Sequence, residues 1–361
     1  MRALLAFWEK EWLALSRDVH GLAVLFLMPA AFIVVMSLAL SDVFKEDSAR
    51  RTGFAVLAPG SPKLAAQIAE HLAGEGWLAA PAPADEKKAR DSVRRGDLGA
   101  VLVVGGDFPA APTLTVLADP ALSPAQLIAF QQRVMSVALG LKRAPTVGLE
   151  VVGNPRGGRP SSVQQNVPAW LIFGMFFVVM PMSALFIVER REGTLARLAS
   201  QRVPAAMLLA GKIGPFFILN LLQAALMLAA GVFLVPRLGG EALALPARLD
   251  LLAAVSASTS VAAIGWGLFV AVLAKTMEQA TVIGGVGNIL AAAIGGIMVP
   301  RFVMPPAMQS LAELSPMAWA LDGFHAVMLR GTSIALPCLK LLLLGAALAA
   351  AALWLQRRRG A

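Results

Sequence analysis

Apolar and polar positions are segregated into long blocks along this chain rather than interleaved. Gly21–Leu40, Val167–Val188, Ile213–Val235, Leu251–Ala274 and Ala280–Val299 contain no Asp, Glu, Lys or Arg. Each is long enough to carry an α-helix across the hydrocarbon core of a bilayer, which takes roughly 20 residues. A sixth block, Ser333–Leu355, holds one charge, Lys340, near its start. The aliphatic stem of a lysine there can reach the interface. Repetition of such blocks, separated by charged loops, predicts six membrane spans rather than the buried helices of a large soluble core.

Composition agrees with the pattern. Of 361 residues, 58% are hydrophobic and 15% charged, with a mean hydropathy of +0.71, against about a quarter charged in soluble domains. The basic residues set an expected orientation, because Lys and Arg concentrate on the cytoplasmic side. Arg2, Lys10 and Arg17 precede the first block, Arg190, Arg191, Arg197, Arg202 and Lys212 follow the second, and Arg357, Arg358 and Arg359 follow the sixth. Six spans then place both termini and the 189–212 loop inside and residues 42–166 outside. The first block, 21–41, lacks a small-residue cleavage pattern and reads as a retained anchor.

The first twenty residues differ from the apolar blocks. In MRALLAFWEKEWLALSRD, Leu4, Trp8, Trp12 and Leu15 recur at helical spacing, with Glu9, Lys10 and Arg17 elsewhere on the wheel. The spacing predicts an amphipathic helix lying in the membrane interface; an extension of the first span is the other reading.

Residues 42–166 read as a domain. FAVLAPG (54–60), AVLVVGG (100–106) and TLTVLAD (113–119) have strand character, and 61–77, 85–99 and 123–140 have helical character, with Ser123 as a cap. Their alternation predicts a small α/β or α+β fold. Residues 141–166, centred on GNPRGGRPSS, read as a return linker.

Catalytic chemistry is hard to find. His20, His71 and His325 are far apart, Cys338 is the sole cysteine, and no metal-ligand spacing occurs. The GxxxxGK[ST] phosphate loop is absent, and GGVG at 284–287 lies inside the fifth block, where close helix packing explains it. Any ATP-driven movement therefore needs an ATPase on another chain.

Two stretches interrupt the apolar pattern. ERREGTL (189–195) comes directly after the second block. RFVMPPAMQSLAELSPMAWALDGFHAVML (301–329) is mostly apolar, but Glu313, Asp322 and His325 punctuate it and Pro305–Pro306 bars a continuous helix. Residues 300–332 read as a re-entrant or interfacial segment, since broken backbone at membrane depth must line a cavity or be covered by protein. Asn220 and Gln223 in the third block are polar candidates for a helix contact or a pathway. Met175, Phe176, Phe177, Met180 and Met182 offer an adaptable apolar surface.

The order of these features resembles the permease subunit of bacterial ABC-2-type exporters, in their multidrug-efflux-like branch. FWEKEWLALSRD, LADPALSP (117–124), ERREGTL and LSPMAWALDGFHAVMLRG (314–331) carry the resemblance, which extends over essentially the whole chain. It implies a transporter without enzymatic activity of its own, paired with a second permease copy or a related permease. It further implies two ABC ATPase subunits that hold the ATP and Mg2+, a possible periplasmic adaptor, a bacterial inner-membrane location and no nucleic acid. It assigns contact with the ATPase to Glu189, Arg190, Arg191, Glu192, Gly193, Thr194 and Leu195, with Lys10 and Glu11 on the N-terminal helix. Asn220, Gln223, Glu313, Asp322 and His325 become candidates for a pathway or outer gate. The expected cargo is hydrophobic or amphiphilic, with drugs, lipid and polysaccharide all open. An anchored sensor or assembly protein without transport remains the rival reading.

Overall fold

The computed structural model describes residues 2–41, 53–58, 62–73, 77–95, 98–105, 113–119, 122, 124–139, 146–152 and 160–359. The chain divides into two compact units: Met1–Ser41 with Pro160–Ala361, and Asp42–Arg159.

Helix α1 (Arg2–Arg17) ends one residue before α2 (Val19–Ala39). Asp18 separates them, its carboxylate accepting from the Gly21 amide at 2.9 Å as the N-cap of α2. The first helix is thus a separate element rather than an extension of the first span. Within its unit Glu11 and Leu15 are buried, while Leu5, Trp12 and Leu13 are exposed. Residues 8, 11 and 15 define that inner face at helical spacing.

The inserted unit is a five-stranded mixed sheet of order β2-β1-β3-β4-β5, built from β1 (Gly53–Leu57), β2 (Leu78–Ala79), β3 (Ala100–Gly105), β4 (Thr113–Ala118) and β5 (Thr146–Val151). Only the β3–β4 pair is antiparallel; Val101 faces Leu117 and Leu102 faces Val116. Alternation along β1 sends Phe54 and Val56 to one face, where α3 (Pro62–Leu72) and α5 (Pro124–Leu139) cover them through Ile68, Leu72, Phe130 and Val134. Ala55 and Leu57 face α4 (Glu86–Arg95) through Ala89 and Val93. The result is a three-layer α/β unit.

The linker expected at 141–166 is corrected in part. Residues 146–151 form β5, whose backbone pairs in parallel with the open edge of β4 from Thr113↔Thr146 to Ala118↔Val151. The two-residue strand β2 has no counterpart among the strands expected from the sequence. Ser123 and the centre of the linker, 153–159, lie outside the described residues.

The second span begins five residues before the uncharged run, at α6 (Ser162–Phe176). Ser161 and Gln164 form a reciprocal capping box that allows a polar start. After a turn at Phe177–Val178 it continues as α7 (Val179–Arg191); Pro181, having no amide hydrogen, suits the first turn after such a break. The expected 189–212 loop is mostly helix: α7 runs to Arg191, α8 spans Thr194–Ser200, and α9 (Ala205–Ala229) begins the third span. That span continues through a π-helical turn, Ala230–Leu234, into α10 (Val235–Arg237).

The fourth span is α11 (Leu249–Leu273). The fifth comprises α12 (Met277–Ala280), a π-helical turn at Thr281–Val286 and α13 (Gly287–Gly295). Gly284 and Gly287 within it lie against Val179 and Trp266, so the GGVG stretch serves packing. Two short helices come next, α14 (Pro306–Ala312) and α15 (Pro316–His325), and then the sixth span, α16 (Ala335–Arg359).

Six of these segments are long and apolar enough to cross a membrane, from Gly21–Ala39 to Ala335–Arg358. Spans four and six touch backbone to backbone: a Cβ on Gly265 would meet the Gly345 carbonyl oxygen at 2.5 Å.

Candidate coupling site at the end of the second span

Apolar sequence in α7 stops at Val188, and the next three residues point in three directions because successive side chains on a helix are about 100° apart. Glu189 turns inward and is 8% exposed. Its carboxylate meets the Lys10 ammonium of α1 and, at 2.9 Å, the Lys212 ammonium of α9. Lys212 also bonds Glu11 at 2.7 Å, and Lys10 bonds Glu11 at 3.0 Å. Two ammonium and two carboxylate groups therefore balance in one cluster, with Lys212 and Glu11 each 2% exposed. The Phe186 ring borders it, 5.7 Å from the Lys212 nitrogen. Burial by itself would lower the Lys10 pKa, but the Glu189 carboxylate, with Glu11, outweighs it and holds that ammonium above its ordinary value.

Close backbone approach makes the cluster possible. Phe7 lies against Gly211 and Trp8 against Gly214, where a Cβ would come within 2.2 Å of the indole. The Trp8 indole also donates to the Ala210 carbonyl at 3.3 Å. Lys212 thus lies between two glycines that admit α1. In the sequence Lys212 reads as one more loop charge; a lysine inside LLAGKIGPF, flanked by small residues on an apolar helix, is the signal that sets it apart.

Arg190 points to the end of the fourth span. Its guanidinium donates to the Ala274 carbonyl at 2.8 Å and reaches the Val272 carbonyl at 3.5 Å, at a helix C-terminus where unpaired carbonyls favour a cation. Arg191 and Glu192 are exposed. Gly193, at φ +71, turns the chain into α8, with no atom near the place of a Cβ. Thr194 opens that helix and Leu195 packs on the bundle core. At its far end the Arg202 amide bonds the Ala199 carbonyl and the Val203 amide the Leu198 carbonyl, with Arg202 at φ 56. This is a Schellman ending with arginine where glycine is usual.

The candidate pathway residues do not gather in one place. Asn220 and Gln223 are fully buried on α9; the Gln223 amide donates to the Leu25 carbonyl at 2.7 Å. Glu313 is exposed at the end of α14. Asp322 pairs with Arg301 at 3.1 Å, and His325 is buried on α15. Met175, Phe176 and Met182 are core residues, whereas Phe177 and Met180 line an apolar cleft of about 360 Å³ with Asp18, Val24, Pro181 and Met277. Among the described residues no group of three His, Cys, Asp or Glu side chains could hold a metal ion.

Comparison with known proteins accounts for this architecture. The chain is 26% identical over 178 residues to the linearmycin resistance permease protein LnrN of Bacillus subtilis (strain 168). That match covers 49% of this chain and 44% of LnrN, so the chain aligns with less than half of that relative's length. Residues 21–354 match the family described as ABC-2 family transporter protein, a stretch that takes in all but the ends of the six-span chain with its inserted α/β unit. The chain belongs to the ABC-2 family of transporter proteins, as a membrane permease.

Proposed function

We propose that this chain is the permease half of an ATP-driven exporter, forming the membrane path while separate ABC ATPase subunits hydrolyse ATP. In this reading both termini and the Glu189 end of the bundle face the cytoplasm, in a bacterial inner membrane, and the inserted α/β unit lies outside. Two ATPase subunits and a second permease, identical or related, complete the machine; ATP and Mg2+ belong to the ATPase. The cargo is hydrophobic or amphiphilic, drugs among the candidates; LnrN is named for resistance to linearmycin. An adaptor on the outer side is a further partner of this proposal.

The observation that carries it is the wiring of one helix end. Exposed Arg191 and Glu192, and α8 beginning at Thr194, follow within five residues of Glu189 and Arg190, which grip α1, span three and span four. A push on α8 is thereby delivered to three elements through charged contacts instead of being absorbed by a loose loop. Lys10, Glu11 and Glu189 contribute as the internal anchor, and Arg191, Glu192, Thr194 and the exposed side of α8 as the contact surface.

The test is purification from native membranes, identification of associated chains and measurement of ATPase activity, with Glu192→Lys beside wild type. Recovery of a separate ATPase, with association weakened about tenfold in the variant, supports the proposal; that is the size expected for one interface charge worth ~1.4 kcal/mol. An intact permease recovered with no ATPase overturns it and favours an anchored sensor or assembly role.

A further inference from the structure

The apolar cleft of about 360 Å³ beside the break in span two has one charged group on its wall. Span one contributes Asp18, Val24 and Leu25, span two Phe177 and Met180, and the start of span five Met277 and Thr281. Its volume falls within the ~300–1,000 Å³ typical of small-molecule sites, which are mostly apolar with a few placed polar groups. Methionine side chains on such a wall adapt to apolar bodies of varied outline.

The walls are held in place. Where span two breaks, the Met180 amide turns to the Phe177 carbonyl at 3.0 Å, and the buried Asn288 of span five donates to the Phe176 carbonyl at 2.9 Å. In span one Pro29 has no amide hydrogen for the Leu25 carbonyl, and the Gln223 side-chain amide takes that place at 2.7 Å. Irregular backbone on both walls is thus satisfied from neighbouring spans.

Asp18 gives the cleft its sign. It is half-buried, and its Oδ1 accepts from the Gly21 amide at 2.9 Å. Gly21, also on the wall, lets Oδ2 lie against the start of α2, where a Cβ would collide with it. Asp18 forms no ion pair among the described residues, and Arg17 and Lys275 are exposed and off the cleft wall. One cap hydrogen bond leaves the carboxylate with acceptor capacity to spare.

We propose that this cleft binds a lipophilic cation, its charge beside Asp18 and its apolar body between Phe177, Met180 and Met277. A carboxylate next to an apolar slot favours such a body over a neutral one of the same shape and disfavours an anion. The proposal deepens the exporter reading: the cleft's place as an intake for cargo rests on that reading, whereas the binding itself does not.

The experiment measures saturable binding of tritiated tetraphenylphosphonium to the full chain in a nonionic detergent by scintillation proximity. Tritiated tetraphenylborate, an anion of nearly the same shape, is measured separately. The cation binds, and the borate binds about fivefold more weakly or less. Asp18→Asn keeps the cap hydrogen bond, since Asn caps helices as well as Asp. It weakens the cation about fivefold or more and strengthens the borate, a reversal that misfolding does not produce. Ala184→Leu, which narrows the slot without changing charge, also weakens the cation; Glu241→Gln, at an exposed carboxylate between spans three and four, changes neither ion. No saturable cation binding overturns the proposal. So does binding that ignores the sign of the ion or survives Asp18→Asn, the result expected if acyl chains or a second permease fill the cleft. Sign-selective binding in a preparation that carries no ATPase supports the site and overturns the exporter reading alone.

Discussion

The two ends of the second span treat their charged groups differently. At the Glu189 end, four charges from three helices neutralise one another, and glycines bring the backbones close enough to bury Glu11 and Lys212. At the Gln165 end, a guanidinium paired with Asp322 keeps three N–H groups that meet no acceptor among the described residues. The first arrangement fixes the register of α1 against spans two and three. Such a pair adds little net stability over a hydrophobic replacement, but losing one member leaves a buried charge without compensation. The second is a single ion pair whose guanidinium is only partly satisfied among the described residues.

Breaking the balanced cluster has the largest expected effect. Lys212→Met leaves Glu11 and Glu189 with Lys10 alone and destabilises the detergent-solubilised protein by ~3–5 kcal/mol. Adding Glu11→Gln restores neutrality and recovers a large part of that loss, which a double-mutant cycle on thermal unfolding measures. Recovery in the double variant distinguishes charge balance from simple packing of the Lys212 stem.

Removing the neighbouring grip is milder. Arg190→Ala loses charged hydrogen bonds to the end of α11 and costs ~1.5–3 kcal/mol. Hydrogen exchange at residues 271–274 rises in this variant, whereas exchange in α1 stays as in wild type. Arg202→Gly relieves left-handed strain at the end of α8 and raises unfolding stability by ~1 kcal/mol. If that gain comes with weaker coupling to ATP hydrolysis, the strained turn is part of the contact surface.

Glu192→Lys sharpens the contrast from the other side. Glu192 is exposed, so unfolding shifts by less than ~0.5 kcal/mol while ATPase association falls. A stability loss comparable to that of Lys212→Met would place Glu192 in the structural cluster instead.

The spans were legible because the bilayer leaves no latitude: every backbone polar group must be satisfied within a helix, and each helix needs a long uncharged run. Their ends were less so. Ser162, Gln164, Gln165 and Asn166 read as linker, although the capping box and bonds from Asn166 to the Met36 and Ser162 carbonyls make them the start of α6, with Ser162, Gln165 and Asn166 buried. Strand β5 was hidden because a six-residue strand next to a Gly- and Pro-rich stretch carries little signal until β4 offers its open edge.

The candidate site was legible in part. The change from apolar sequence to ERRE marks the helix end, and Gly193 marks a turn. The direction of each charge depended on the 100° step of α7 and on which helix stood opposite. Glu189 and Arg191, two residues apart and of the kind found in any charged loop, end with opposite exposures.

Sequence by itself determined the number of spans, the existence of an inserted α/β unit and the lack of a phosphate loop, because each is written in local composition and spacing. Tertiary structure alone decided that Lys10, Glu11, Glu189 and Lys212 share one neutral cluster and that Arg301 faces Asp322. Those pairings join residues as far apart as 201 positions. No local pattern encodes them, because the energy that selects them arises only when packed helices bring the charges together away from water.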